Sequence, residues 1–292
     1  MGIVIRGQLS LLRVVLLILT LSTVTLSSAL AEPLRMVTGE NGVARYAKGL
    51  LKVALSKIPD EFEWDETAET STEARIVEML ISDQLDIIWY TTSKDFENRM
   101  LPIRIPMYKG LLGYRIFMIK SGSQGKFSGI QSISDLNRIS IGQGRFWADT
   151  EILESNGVEV IKVTQYDSLF HMLDGGRFDA FPRGIHEPWD EMPRWPDLQL
   201  DVEENLMLAY MNPFYFFVSK NKPELAEKVE LGLRLAIEDG SFDRYFLNYP
   251  TIKSVLSKSN VKNRHIISLT NPLLPSETPL EDQALWFDPY NH

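Results

Sequence analysis

Residues 73–120 constrain the fold most, because they declare their own secondary structure without help from the rest of the 292-residue chain. Ala74-Arg75-Ile76-Val77-Glu78-Met79-Leu80-Ile81 reads as a helix and Ser82-Asp83-Gln84 as a turn. Leu85-Asp86-Ile87-Ile88-Trp89-Tyr90 follows as a buried strand. A continuous apolar run bounded by turn residues is what a strand covered on both faces requires. The strand ends in the hydroxyls of Thr91, Thr92 and Ser93, and a polar loop then carries Arg99. A second apolar strand, 112–120, leaves by way of Pro106, Tyr108 and Gly110. Strand-end hydroxyls beside a guanidinium suit a small anionic group, since arginine donates paired hydrogen bonds to a carboxylate.

The same grammar returns once. Residues 169–182 give a short helix, a Gly175-Gly176 turn, the strand Phe178-Asp179-Ala180-Phe181 and a loop holding Arg183. The likeness is architectural rather than a sequence repeat, and it predicts two α/β lobes that present strand ends to one cleft. Elsewhere strands and helices alternate, which argues for parallel βαβ units. Residues 33–38 read as the first strand, and a helix follows with apolar positions at Val43, Tyr46, Ala47, Leu50, Leu51, Ala54, Leu55 and Ile58. Thr70-Ser71-Thr72-Glu73 is a capping box for the helix that opens the central stretch. Ser121-Gly122-Ser123-Gln124-Gly125 reads as a linker. A helix spans 223–237, a shorter one 242–247, and the proline-rich tail reads as coil anchored by Leu285, Trp286, Phe287 and Tyr290.

Composition narrows the function classes. Residues 1–31 hold Arg6, Arg13, an apolar run and Ala29-Leu30-Ala31, the pattern of a secretory signal peptide cleaved after Ala31. Removing them takes the formal charge from −9 to −11, a balance without an electrostatic footprint for nucleic acid or anionic lipid. With no cysteine there is no disulfide, thiol nucleophile or thiolate metal site. His186-Glu187-Pro188-Trp189-Asp190-Glu191 lacks the second histidine of a helical zinc motif and is broken by Pro188, so no metal or other cofactor is expected.

Taken together and in order, several segments resemble the type II periplasmic solute-binding proteins, in the amino-acid-binding branch of ABC importers. They are residues 85–93 with Arg99, Pro106-Met107-Tyr108, residues 139–144, Gly176-Arg177-Phe178-Asp179-Ala180, Phe216-Phe217-Val218-Ser219-Lys220 and residues 238–242. The resemblance covers the chain beyond the leader. It implies an α/β fold of two lobes, each a mixed sheet flanked by helices, joined by two hinge crossings. Lobe one would comprise 32–120 and 213–292, the latter ending in a coil tail, and lobe two 121–212. The crossings would lie near 119–125 and 210–214, with Tyr114, Arg115 and Pro213 as hinge residues. It implies a periplasmic monomer that binds a small solute without turning it over and presents the closed state to an ABC permease. A membrane sensor is the alternative partner, and a dehydratase-like enzyme on the same fold the remoter reading.

The resemblance also places the site. Thr91, Thr92, Ser93 and Arg99 match the segment that binds a ligand carboxylate, with Tyr90 beside them, and Arg145 and Phe146 match a lobe-two helix start, next to Trp147. The family's acid for a ligand amine falls where this chain has Pro182-Arg183-Gly184, so Arg183, with Glu187 as its partner, points to a carboxylated or otherwise anionic solute. Glu40 would meet an ammonium or lie in an exposed turn. For Arg99 the alternative is a surface pair with Asp95 or Glu97, and for Arg145 a solvated turn.

Overall fold

The structure is a computed structural model and describes residues 33–37, 42–60, 62–68 and 72–288. The expected signal peptide, Glu40, most of the capping box and Tyr290 lie outside the described residues. The chain opens with β1 (Leu34–Val37), α1 (Gly42–Leu55), β2 (Trp64–Ala68), α2 (Glu73–Ile81), β3 (Ile87–Thr91), α3 (Lys94–Arg99) and β4 (Leu101–Ile103). Next come β5 (Tyr114–Lys120), α4 (Ile133–Leu136), β6 (Ile141–Gly144), α5 (Ala148–Ser155), β7 (Val160–Val163) and α6 (Tyr166–Asp174). β8 (Ala180–Gly184), α7 (Pro188–Glu191), β9 (Leu200–Val202) and β10 (Leu206–Ala209) follow. β11 (Phe214–Val218), α8 (Pro223–Glu238), α9 (Ser241–Asn248), α10 (Pro250–Ser259) and β12 (His265–Ser268) complete the order.

These elements build two cores. In the first, β11 lies antiparallel between β3 and β4, and β1 pairs in parallel with β2. The Asp86 amide, donating to the Arg35 carbonyl at 2.9 Å, links the two pieces. Helix α1 buries Tyr46, Ala47, Leu50, Leu51 and Ala54, the stripe that its 3.6-residue period predicts, and α8 packs against it. In the second core β5 lies centrally, between β8 on one side and β9 and β10 on the other, and β6 and β7 extend the sheet in parallel. Its alternation shows in the burial. Phe117 and Ile119 enter one apolar cluster and Met118 the other, because successive side chains of a strand face opposite ways.

The sheet pairing moves the expected crossings. β5, read as the hinge approach at the end of lobe one, is a central strand of the second sheet, and the glycine–serine segment at 121–125 lies within that lobe. The chain therefore passes between cores at 104–113, and returns at 210–213. The two passages touch where the Tyr210 amide donates to the Gly113 carbonyl at 3.2 Å. A Cβ at Gly113 would fall 1.9 Å from the Tyr210 carbonyl oxygen, so the approach requires glycine.

The tail also departs from plain coil. β12 pairs in parallel with β10 at the edge of the second sheet. Residues 269–288 then run back to the first core, where Leu285 and Phe287 are buried and the Phe287 amide donates to the Lys109 carbonyl at 2.8 Å. A third passage thus straps the two cores together.

Candidate functional site

The carboxyl ends of parallel strands are where an α/β sheet exposes its loops to ligands. At the end of β6 stand Arg145, Phe146 and Trp147, and at the end of β8 stand Gly184, Ile185, His186 and Glu187. Trp147 folds inward, its ring 6.2 Å from that of Phe181. Arg145 and Phe146 stay outside, and Phe146 is 82% exposed, far more than any other large apolar side chain among the described residues.

Behind this rim lies a connected charged network. The Arg115 Nε donates to the Tyr210 hydroxyl at 2.6 Å and pairs with Asp149 at 2.7 Å, while Tyr210 in turn donates to Asp149. Arg183 donates to Glu187 at 2.7 Å and to Glu191 at 2.9 Å, and Tyr166 donates to Glu191 as well. The guanidinium of Arg183 also lies over the Trp147 ring, 5.1 Å from its centre. Burial would raise the Asp149 carboxyl, but Arg115 and the Tyr210 hydrogen bond outweigh it and hold it below the usual range. Burial opposes the Glu187 carboxylate too, and Arg183, then Arg115, hold it low. Gly184 makes this contact possible. Its amide donates to Glu187, and a Cβ there would meet Arg115 at 2.7 Å and Glu187 at 2.8 Å.

The network corrects the expected role of Arg183. Two guanidiniums face three carboxylates, so Arg183 is neutralised inside the lobe and adds no positive charge for a ligand. The Glu187 carboxylate folds back onto the Gly184 amide.

The first lobe corrects the other half. The segment after β3 forms the helix α3, and a helix start consumes hydroxyls. Ser93 caps it by accepting from the Phe96 amide at 3.2 Å, and Thr92 donates to Glu97 at 2.7 Å. Thr91 lies opposite Phe214 in the β3–β11 ladder, and the Tyr90 ring sits beside Phe96. Arg99 ends the helix partly exposed and paired with Glu78 at 2.5 Å and Asp95 at 3.5 Å. It is the surface pair, and Arg99, Arg145 and Arg183 do not form one arginine set. Of the hinge residues, Arg115 braces the second lobe, Tyr114 donates to the Phe287 carbonyl at 3.2 Å, and the Pro213 carbonyl accepts from the Thr92 amide at 3.0 Å.

Between the lobes is a cleft of about 370 Å³. The first core contributes Arg45 at the start of α1, Tyr108 with Leu111 and Leu112 from the outgoing passage, and Tyr249 and Thr251 around the start of α10. The second contributes His186 and Asp190. Its floor is rigid, because Tyr108 stacks on Tyr46 at 4.3 Å and Tyr46 donates to the Met107 carbonyl at 2.7 Å. The His186 Nδ1 is buried in this wall without a hydrogen-bond partner among the described residues, and burial lowers the pKa of the ring. Sequence reasoning passed over Arg45, Tyr249 and Asp190. The only available signal was the position of Arg45 one turn into the helix after β1. No group of residues able to hold a metal occurs among the described residues.

No family model matches the sequence, and neither does any curated protein. The fold is similar to that of the probable amino-acid ABC transporter extracellular-binding protein ytmK from Bacillus subtilis. The TM-score is 0.54 at 20% identity, over 71% of this chain and 88% of that one. An ancestral arginine-binding protein bound to arginine gives a TM-score of 0.47 at 18% identity, over 70% and 87% of the two chains. The chain shares its fold, two α/β cores, with the first of these.

Proposed function

We propose that this chain binds a small carboxylated solute, amino-acid-like or another organic anion, between its two lobes, and that the closed state is handed to an ABC permease. The observation that carries the reading is the cleft itself, whose walls come from two separate cores that meet at a tight contact between passages. A ligand that touches both walls favours the closed arrangement by the difference in its affinity for the two states. Arg145 and Phe146, exposed at the end of β6 and outside the lining of this cleft, would add a guanidinium and a ring to such a solute on closure. His186 lines the same cleft, with its Nδ1 buried and without a hydrogen-bond partner among the described residues. The leader-like segment at 1–31 fits action in the periplasm.

An acid–base role for Glu187, which a dehydratase would need, does not fit its surroundings. Its carboxylate is held ionised by Arg183 and Arg115 and bonded to the Gly184 amide, whereas a general base works best with a pKa near the working pH. Native mass spectrometry of the purified chain is expected to show a co-purified small carboxylate. Calorimetry with that compound is expected to give one site per chain, weakened at least tenfold by Arg145→Ala without a change in melting temperature. Unchanged affinity in Arg145→Ala, or turnover of the bound compound, would overturn the reading.

A further inference from the structure

The larger cavity of the molecule is not the cleft. About 480 Å³ of space lies across the outgoing passage, lined by Lys109 and Gly110 where the cleft takes Tyr108, Leu111 and Leu112. Its remaining walls come from the start of β5, the end of β10, β12 and the strap. Four of the polar side chains on these walls have their atoms engaged elsewhere. The Lys109 amine pairs with Asp243 at 2.6 Å, and the Tyr114 hydroxyl donates to the Phe287 carbonyl. The Tyr210 hydroxyl donates to Asp149, and the Trp286 indole N–H to the Pro279 carbonyl at 3.1 Å. Much of what the space meets is carbon, from the rings of Tyr114, Tyr210 and Trp286 with Ile266, Leu269 and Met211, and Ser268 and Gln283 add a hydroxyl and an amide. Met211 stands at 40% exposure, a large apolar side chain that the packing of neither core requires outside.

We infer that this cavity is a second small-molecule site, for an uncharged, flat aromatic compound of one or two rings. The volume lies within the range of ligand sites, roughly 300–1,000 Å³, and far above the ~30 Å³ share of a single water. Aromatic walls reward a ring by offset and edge contacts beyond area burial alone. The site is distinct from the cleft in chemistry as well as place, because the cleft carries Arg45, His186 and Asp190 while the one cation lining this space, Lys109, is paired with Asp243. The proposal stands independently of what the cleft binds.

Titration calorimetry with indole tests it, with indole-3-carboxylate as the charged comparison. The expected result is saturable binding of one indole per chain, with the carboxylate at least tenfold weaker. Met211→Trp, at the exposed passage, is expected to fill the cavity and weaken indole at least tenfold. Ala209→Leu, at the end of β10, serves the same end if the first variant does not fold. Absence of saturable indole binding to the wild-type chain would overturn the proposal. So would equal affinity for the two compounds, or indole binding that survives the plugging variant unchanged. Because indole alone is the probe, failure here leaves the Arg145→Ala test of the cleft untouched, and failure there leaves this one untouched.

Discussion

Arg183 shows how a residue can be found correctly in a sequence and given the wrong work. Its place at the end of β8 and its partner Glu187 were legible, but the second carboxylate that completes its neutralisation, Glu191 of α7, was not. Arg99 shows the same limit. The hydroxyls ahead of it looked like ligand groups, yet Ser93 is spent as a helix cap and Thr92 on Glu97. Arg145 and Phe146 remain candidates, exposed at the end of β6 with no side-chain hydrogen bond among the described residues. For the network the expectation is specific. Removing one partner of a buried ion pair leaves charge without compensation, so Arg183→Ala should cost about 3–5 kcal/mol at pH 7. The pH dependence has a definite sign. Glu187 has a folded pKa below its ordinary value, so its stabilising contribution is present above that ordinary value and is lost as pH falls through the folded one. In the variant the depressing charge is gone, and Glu187 takes up its proton more readily. The cost should therefore shrink below about pH 4, near the unperturbed carboxyl value. Urea midpoints at pH 7 and pH 3.5 measure it, and an equal cost at both would refute the account.

Elements were more legible than their partners. The helix–turn–strand stretch from α2 to β3, the long helix α8 and the apolar strands β5 and β11 all follow from period and turn chemistry. What period cannot say is which sheet a strand joins. Tyr114-Arg115-Ile116-Phe117-Met118-Ile119-Lys120 is apolar enough to be central in either lobe, and the glycines after it looked like a boundary when they only turn the chain within one lobe. β12 escaped because four residues in a proline-rich tail carry too little pattern, and its strand identity comes from β10. The crossing can be tested at Gly113. A methyl group there overlaps the Tyr210 carbonyl, and overpacking against backbone costs about 1–3 kcal/mol or more. Gly113→Ala should lower the urea midpoint accordingly, while Gly125→Ala, with open space around it, should leave stability unchanged or slightly raised. The strap has its own test. Phe287 is 5% exposed, and Phe287→Ala should cost about 3–5 kcal/mol if the tail is part of the first core. A loss under about 1 kcal/mol, where surface substitutions fall, would mean that the tail only rests on it.

At the scale of the whole molecule the question is how far two lobes with three passages between them can move. Two passages in contact at Gly113 and Tyr210 define a pivot, and the strap closes a loop around it. Ile185, from the second lobe, is fully buried in the first core, and Trp189 packs against it. Separation of the lobes would expose these side chains at roughly 25 cal/mol per Å² of apolar surface, whereas rotation about the pivot keeps them covered. The expected motion is therefore a limited rotation that narrows the cleft without parting the lobes. The chain has no cysteine, so donor and acceptor dyes can be placed at will. Glu227→Cys on α8 and Glu159→Cys before β7 are exposed positions, one in each lobe. Energy transfer between them should shift on addition of the co-purified solute and saturate with the same affinity that calorimetry gives. Shortening the strap's hold with Phe287→Ala should widen the unliganded distance distribution, because one of three tethers is then loose. A single distance, identical with and without solute and in the strap variant, would mean that the lobes form one rigid body and that binding is read by the partner without closure.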